Sequence, residues 1–255
     1  MSMPLVLHQA RYDLRAFLRN KQGRYFTLIL PIVLLVVFVS VGVGGKTVGP
    51  DHADSSTYYV PGLSALAIVA ASFVNLVISI TAQREAGVLK RRRATPVPAW
   101  VLIAGRTLTA IVVSLATLTM LLAVGHFAYG IELSAATIPD VAVTAIVGSA
   151  AFCVLGYALS TRIRSADAAQ PMVQALMLPL YFISGVFVPS VDLPGWLRHV
   201  ASAFPVEHLA DGLSHAYSPA SGVVWSDLAV LSLWAAGGLV LALRRFSWTP
   251  STTTT

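Results

Sequence analysis

The sequence predicts an all-α membrane protein with six transmembrane helices. Of its 255 residues, 56% are hydrophobic and 11% are charged, whereas a soluble domain has about 25% charged residues. The apolar residues are concentrated in runs, most of them close to the roughly 20 residues that a helix needs to cross about 30 Å of hydrocarbon. Nearly all basic residues lie in alternate segments between these runs, as the positive-inside rule requires.

Residues 1–25 form the first unit and are predicted to be a cytoplasmic amphipathic helix. Leu7, Leu14 and Leu18 recur at helical spacing, and Arg11, Arg15 and Arg19 recur every four residues on another face. A basic stripe beside an apolar stripe is typical of a helix that lies in the lipid headgroup layer. The alternative is a helix that packs on the rest of the chain.

Residues 26–243 form the second unit, a transmembrane domain. The six predicted spans are Phe26–Gly44, Tyr58–Ile80, Thr107–Tyr129, Pro139–Thr161, Ala168–Val188 and Asp227–Leu243. Prolines occur within several of these runs, and neighbouring helices can satisfy the backbone groups that proline leaves free. Residues 244–255 form a short polar tail.

The Lys and Arg residues predict the orientation. With the N-terminus inside and six spans, every Lys and Arg except Lys46 and Arg198 lies on the cytoplasmic side. This arrangement predicts a multi-pass protein of the plasma (inner) membrane with both termini in the cytoplasm. The net charge of +6 is thereby explained by topology, and nucleic acid is not an expected partner.

The loop between the fifth and sixth spans is unusually apolar and is punctuated by prolines. Its periodicity predicts two short outer helices, Pro194–Ala203 and Val206–Ala216, which lie on the outer leaflet or dip into it. His208, Asp211 and His215 share one face of the second helix. Metal ligands have such spacing, but a wetted helix with scattered polar residues produces the same pattern, and no metal site is assigned.

Sites for catalysis or nucleotide binding are not found in the sequence. Residues 44–47, Gly-Gly-Lys-Thr, resemble the end of a phosphate-binding loop, but the glycine required five residues before Gly45 is replaced by Ser40. The spans contain neutral polar residues rather than paired ionisable ones. Asn75, Gln170 and Gln174 either line a substrate path or form hydrogen bonds between helices, and both readings remain open.

A basic segment at residues 83–106 separates the second and third spans. It contains the pattern Arg84-Glu85-x-Gly87-x-Leu89, then Thr95-Pro96-Val97-Pro98, then Gly105-Arg106. This pattern resembles the cytoplasmic loop of ABC-2 type permeases, the membrane subunits of bacterial ABC exporters. Residues 182–189, 193–197, 204–205 and 208–212 also resemble the fifth span and outer loop of that family. The daunorubicin-resistance type of drug and lipid exporter is the most similar group.

The resemblance implies a non-enzymatic transport subunit that works as a homodimer or heterodimer with a separate cytoplasmic ATPase. ATP and Mg²⁺ are then bound by that ATPase, and this chain has no cofactor of its own. A coupling helix between spans two and three and re-entrant outer helices are implied as well. The residues expected to contact the ATPase are Arg84, Glu85, Gly87, Leu89, Lys90, Arg91, Thr95 and Pro96. The alternative function is a self-contained secondary carrier or channel.

Overall fold

The fold is helical, with one short strand pair, in the residues that the computed structural model describes. These residues are 3–41, 47–48, 53–88, 90, 98–130, 134–163, 165–188, 193–218 and 222–245. The helices are α1 Met3–Arg19, α2 21–41, α3 55–85, α4 Ala99–Tyr129, α5 Ile138–Ser160, α6 Ala166–Ile183, α7 Gly195–Ala201, α8 Pro205–Tyr217 and α9 Trp225–Arg245. Strands β1 Thr47–Val48 and β2 Ala53–Asp54 pair antiparallel.

Five of the helical segments in these ranges are long and apolar enough to cross a membrane. They are Lys21–Ser40, Tyr58–Glu85, Trp100–Tyr129, Ile138–Ser160 and Trp225–Ala242. The predicted fifth span forms α6, which is not among the five; Asp167, Gln170 and Gln174 lower the hydropathy of its first half. The helical membrane fold is confirmed, whereas a sixth crossing by α6 stays a prediction.

Helix α3 lies at the centre of the bundle. In its most apolar window 72% of the residues are buried, against 17% in α2. Helices α2 and α3 each contain one π-helical turn, Tyr25–Ile29 in α2 and Ala70–Val74 in α3. Because π turns insert an extra residue into a helix, they shift the side chains that follow and often occur at functional sites.

Helix α8 is part of the core. Val206, Leu209 and Leu213 are fully buried. A Cβ at Gly148 of α5 would lie 2.5 Å from Leu209 Cδ1, so a larger residue at the crossing of α8 and α5 would displace the Leu209 side chain. Helix α7 is far more exposed, with Trp196 69% accessible. Helices are present at both positions where outer helices were predicted, and the second is enclosed by α3, α5 and α9.

Two helix boundaries differ from the predicted spans, with consequences for the basic segment. Helix α3 continues to Glu85, five residues beyond the predicted end of the second span at Ile80. Helix α4 begins at Ala99, with Pro98 extended at its N-cap, so Gly105 and Arg106 lie inside the helix. A proline has no N–H to donate and is well tolerated at a helix start.

Candidate functional site

Arg84 connects the end of α3 to the end of α5. Its guanidinium is buried, with Nη1 donating a hydrogen bond to the Ser160 carbonyl at 2.9 Å and Nη2 donating to the Ile163 carbonyl. The last carbonyls of a helix have no partner within it, and the end carries partial negative charge. A buried arginine at this position therefore satisfies free acceptors and is stabilised by the helix dipole.

Glu85 makes the complementary contact with the start of α6. Its Oε2 accepts a hydrogen bond from the Ala166 backbone N–H at 2.7 Å. The N-cap Ser165 also accepts one from Ala168 N–H, at 3.3 Å. A carboxylate is favoured at a helix N-terminus. Adjacent residues thus hold the two sides of the α5–α6 connection, and we call this pair the Arg84–Glu85 clamp.

Gly87 ends the helical run immediately after the clamp. Its N–H donates to the Arg84 carbonyl at 3.1 Å, and its φ of +68° is in the left-handed region that favours glycine. No atom lies within 4 Å of where a Cβ would be, so this glycine is required for its backbone conformation rather than for close approach. Lys90 is exposed. The other residues expected to contact an ATPase, Leu89, Arg91, Thr95 and Pro96, are outside the described residues.

The Gly105-Arg106 pair is where α1 meets α4. A Cβ at Gly105 would lie 2.7 Å from Gln9 Cγ, so only glycine lets the helices cross at this distance. Arg106 Nε lies 3.5 Å from Asp13 Oδ2, and Arg106 also donates to Ser79 Oγ on α3. The N-terminal helix is therefore packed on the bundle along one face.

The opposite face of α1 stays exposed. Leu7 is 56% and Leu18 is 48% accessible, and the three arginines of the basic stripe are exposed as well. Phe17, next to Leu18 in the chain, is instead buried against α3 and α4. Helix α1 thus combines a packed face with a face that retains the amphipathic character expected of a membrane-surface helix.

Asn75, Gln170 and Gln174 all line one cavity of about 270 Å³. Its walls come from α2, α3 and α6, and both π turns contribute, with Phe26 and Thr27 from one and Ala70 and Val74 from the other. The sequence singled out the three amides but contained no signal for the π turns or for Thr27. A second cavity of about 190 Å³, between α1, α3 and α4, is lined by Asp13 and Arg106 and also by Asn75.

Comparisons with known proteins agree with the residue patterns of the basic segment and the outer helices. The sequence model of the protein family described as "ABC-2 type transporter" matches residues 6–217 of this chain. The chain belongs to the ABC-2 type transporter family.

Two relatives of this ABC-2 transporter chain are bacterial permeases. It is 24% identical to "Probable multidrug ABC transporter permease YbhR" of Escherichia coli (strain K12) over 179 residues, 69% of this chain. It is 21% identical to "Putative transport permease YvfS" of Bacillus subtilis (strain 168) over 210 residues, 82% of this chain and 84% of that protein. The match spans about half the length of the E. coli relative, 48%.

A partly buried contact between His208 and Asp227 joins α8 to α9 in this ABC-2 transporter chain. His208 Nδ1 lies 2.8 Å from Asp227 Oδ1 on α9, and His208 Nε2 lies 2.9 Å from the Ser202 carbonyl. Burial alone lowers the pKa of His208, but these two acceptors and the nearby carboxylates outweigh it and raise the pKa above its usual value. For the neighbouring Glu207, burial has the opposite effect and raises the pKa, because the charged form of a carboxyl group is the one that loses hydration; its Oε2 is buried without a hydrogen bond.

The predicted face of His208, Asp211 and His215 does not act as one cluster. His208 faces α9, whereas His215 Nδ1 contacts the Asp211 carbonyl at 2.9 Å and lies 3.9 Å from its carboxylate. Burial raises the pKa of Asp211. In the part of the chain that the structure describes, no three His, Cys, Asp or Glu residues come together to hold a metal ion.

Proposed function

We propose that this chain is the transmembrane permease subunit of an ATP-driven exporter. A separate cytoplasmic ATPase supplies the energy, two permease subunits form the path, and amphipathic drugs or lipids move outward across the plasma membrane. The observation that carries the proposal is the Arg84–Glu85 clamp, because it joins the basic segment expected to meet an ATPase to the ends of α5 and α6.

The clamp provides a short mechanical route to the proposed substrate path. Gln170 is four residues and Gln174 eight residues beyond Ala166, the residue that Glu85 holds. Since a helix advances 1.5 Å per residue, the cavity starts about 6 Å from the clamp. A displacement of the segment after Gly87 therefore moves the same helix that contributes both glutamines.

In this mechanism Arg84 and Glu85 position α5 and α6, while exposed residues further along the segment touch the ATPase. Arg84 is buried and already bonded to carbonyls, so we assign it to transmission. Lys90 is exposed and is assigned to direct contact, together with Leu89, Arg91, Thr95 and Pro96 by resemblance. The ATPase must bind two arrangements of the segment with different affinity to shift it.

The cavity chemistry favours amphipathic cargo. Aliphatic and aromatic side chains form most of the lining, and Asn75, Gln170 and Gln174 supply neutral donors and acceptors. Pockets of this kind bind largely apolar ligands and orient them through a few hydrogen bonds. Free ions and sugars would need many more polar partners than this lining provides.

We further propose that α6 is the sixth crossing and that α7 and α8 form a re-entrant outer segment. The chain turns directly after α6, at Gly185 with φ +72°, and Tyr58 OH donates to the Gly185 carbonyl at 2.8 Å. The enclosure of α8 by α3, α5 and α9 supports a segment that enters the bundle from the outside. This arrangement returns both termini to the cytoplasm.

Transport with purified components tests the proposal. The chain is reconstituted into liposomes with the ABC ATPase encoded beside it, and efflux of a fluorescent amphipathic dye is followed with and without ATP. We expect efflux that requires ATP and that disappears when the ATPase lacks its phosphate-binding lysine. Efflux without the ATPase would identify a channel, and efflux driven by a pH gradient would identify a secondary carrier.

Substitution of the clamp tests whether it couples ATP hydrolysis to transport without being needed for binding of the ATPase. Replacing Arg84 and Glu85 together by Gln is expected to abolish ATP-driven efflux while membrane insertion and co-purification with the ATPase remain. Arg244→Gln, an exposed cation at the end of α9, is the matched control and should transport normally. Normal efflux by the double variant would remove the clamp from the mechanism.

A further inference from the structure

A third cavity, distinct from the two described above, is an open apolar groove that α6 also lines. It has a volume of about 340 Å³ and lies between α5, α6 and α9. Leu176, Met177 and Leu180 of α6 face it, and none of them lines the cavity that contains Gln170 and Gln174. The two cavities have no described lining residue in common, although α6 and the π turn of α3, through Phe73, contribute to both.

The lining of the groove is apolar near α8 and includes a cation near the end of α5. Phe204, Pro205 and Val206, at the start of α8, line it at its apolar end, and Arg162 lines it just beyond α5. Arg162 is exposed, and its side chain has no hydrogen-bond or ion-pair partner among the described residues. Among the residues that the structure describes, no other Lys or Arg lines this groove.

The dimensions of the groove match one leaflet of a bilayer. Along α5 and the turn after it, the lining runs from Phe152 to Arg162. The helical part, from Phe152 to Ser160, is about 12 Å long at 1.5 Å per residue, and the turn extends it further. The hydrocarbon core of a bilayer is about 30 Å thick, so one leaflet contributes about 15 Å. Arg162, directly after a membrane-crossing helix, then lies at the depth of the headgroups.

We propose that this groove is a binding site for one anionic phospholipid, with an acyl chain between α5, α6 and α9 and the phosphate paired with Arg162. An acyl chain about 4 Å thick and 15 Å long occupies roughly 200 Å³, which the groove can hold. The size of the groove and the position of its cation therefore favour a lipid.

The bound lipid is a resident component and not the transported cargo. Its phosphate would be the anionic partner that Arg162 lacks among the described residues, since arginine binds phosphate through paired N–H donors. Its acyl chain would complete the packing of α6 on the face opposite the proposed substrate path. The site requires neither an ATPase nor transport, so a failure here is distinguishable from a failure of the proposed function.

Native mass spectrometry of the purified full-length chain tests the site. The protein is exchanged into detergent with added phosphatidylglycerol or phosphatidylcholine, and the fraction that retains one lipid is measured. We expect phosphatidylglycerol to be retained preferentially and Arg162→Gln to weaken its retention about fivefold. Arg244→Gln removes an equivalent exposed cation outside the groove and should leave retention unchanged.

A groove-filling substitution provides the second arm. Ala158 lines the groove and Ala236 lies exposed on α9 outside it. Ala158→Leu is expected to reduce retention of both lipids, and Ala236→Leu is not. Equal retention by Arg162→Gln and Arg244→Gln would overturn the proposal. Conversion of a dimer to a monomer by Ala158→Leu, with lipid retention unchanged, would also overturn it and assign the groove to an interface between copies.

Discussion

Removal of the Glu85 carboxylate should loosen the start of α6 without unfolding the bundle. Glu85 is exposed and accepts one hydrogen bond, from Ala166 N–H at 2.7 Å. Replacement of a carboxylate or hydroxyl that caps a helix N-terminus by alanine costs about 1 kcal/mol, and the lost interaction with the helix dipole adds about 0.3–1 kcal/mol. Glu85→Ala should therefore weaken local protection of this helix start by about 1–2 kcal/mol, which is a five- to thirty-fold change in opening.

Hydrogen–deuterium exchange of the peptide that covers residues 161–172 measures this opening. Asp167→Ala is the matched control, because Asp167 lies in the same first turn, is exposed and has no side-chain partner in the described structure. It loses a charge near the same helix end but no hydrogen bond, so its effect should stay near twofold. Equal exchange in the two variants would refute the clamp, since it would leave only a general effect of charge.

Two other contacts lead to predictions of their own. Gly105→Val inserts a side chain where α1 crosses α4 and should lower the stability of this packing by about 1–3 kcal/mol. Limited proteolysis would detect the change as faster cleavage of α1. Gly237→Val is the control, because no atom lies within 4 Å of its Cβ position, and it should not change the cleavage rate. The raised pKa of His208 stabilises the fold below the pKa of an unfolded histidine, and this contribution is lost as the pH rises through the folded pKa. The thermal midpoint should therefore fall as the pH rises above about 6.5, the pKa of an unfolded histidine. His208→Gln should flatten this fall while His215→Gln should not; an unchanged slope in His208→Gln would disprove the role of the Asp227 pair.

The helices were predictable from the sequence because the apolar runs set their positions. Their ends were less predictable, since the amphipathic and charged residues at a membrane surface can continue a helix as easily as they can end it. Glu85 and Ala99 illustrate this: one extends α3 beyond its predicted end at Ile80, and the other starts α4 two turns before the predicted Thr107.

Long-range partners were not predictable from the sequence. Arg84 was expected at a surface that faces an ATPase, yet it is bonded to carbonyls of residues 160 and 163, almost eighty positions away. A single arginine in a basic segment has the same local pattern whether it faces solvent or a helix end. Helix α8 shows the same limit, because an apolar face with a period of 3.6 residues is equally typical of a helix on a leaflet and of one docked in a core.

The irregularities around the amide-lined cavity are concentrated in helices that the clamp can reach. Helix α6 contains Pro171 and Pro179, on either side of Gln174. Each proline removes one N–H from the helical ladder, and the π turns of α2 and α3 interrupt the regular ladder on the facing walls. Helices with interrupted hydrogen bonding bend at those points more readily than regular ones. Because Glu85 holds the first residue of α6, we expect a displacement of the basic segment to bend α6 near its prolines and so to change the separation between Gln174 and Asn75.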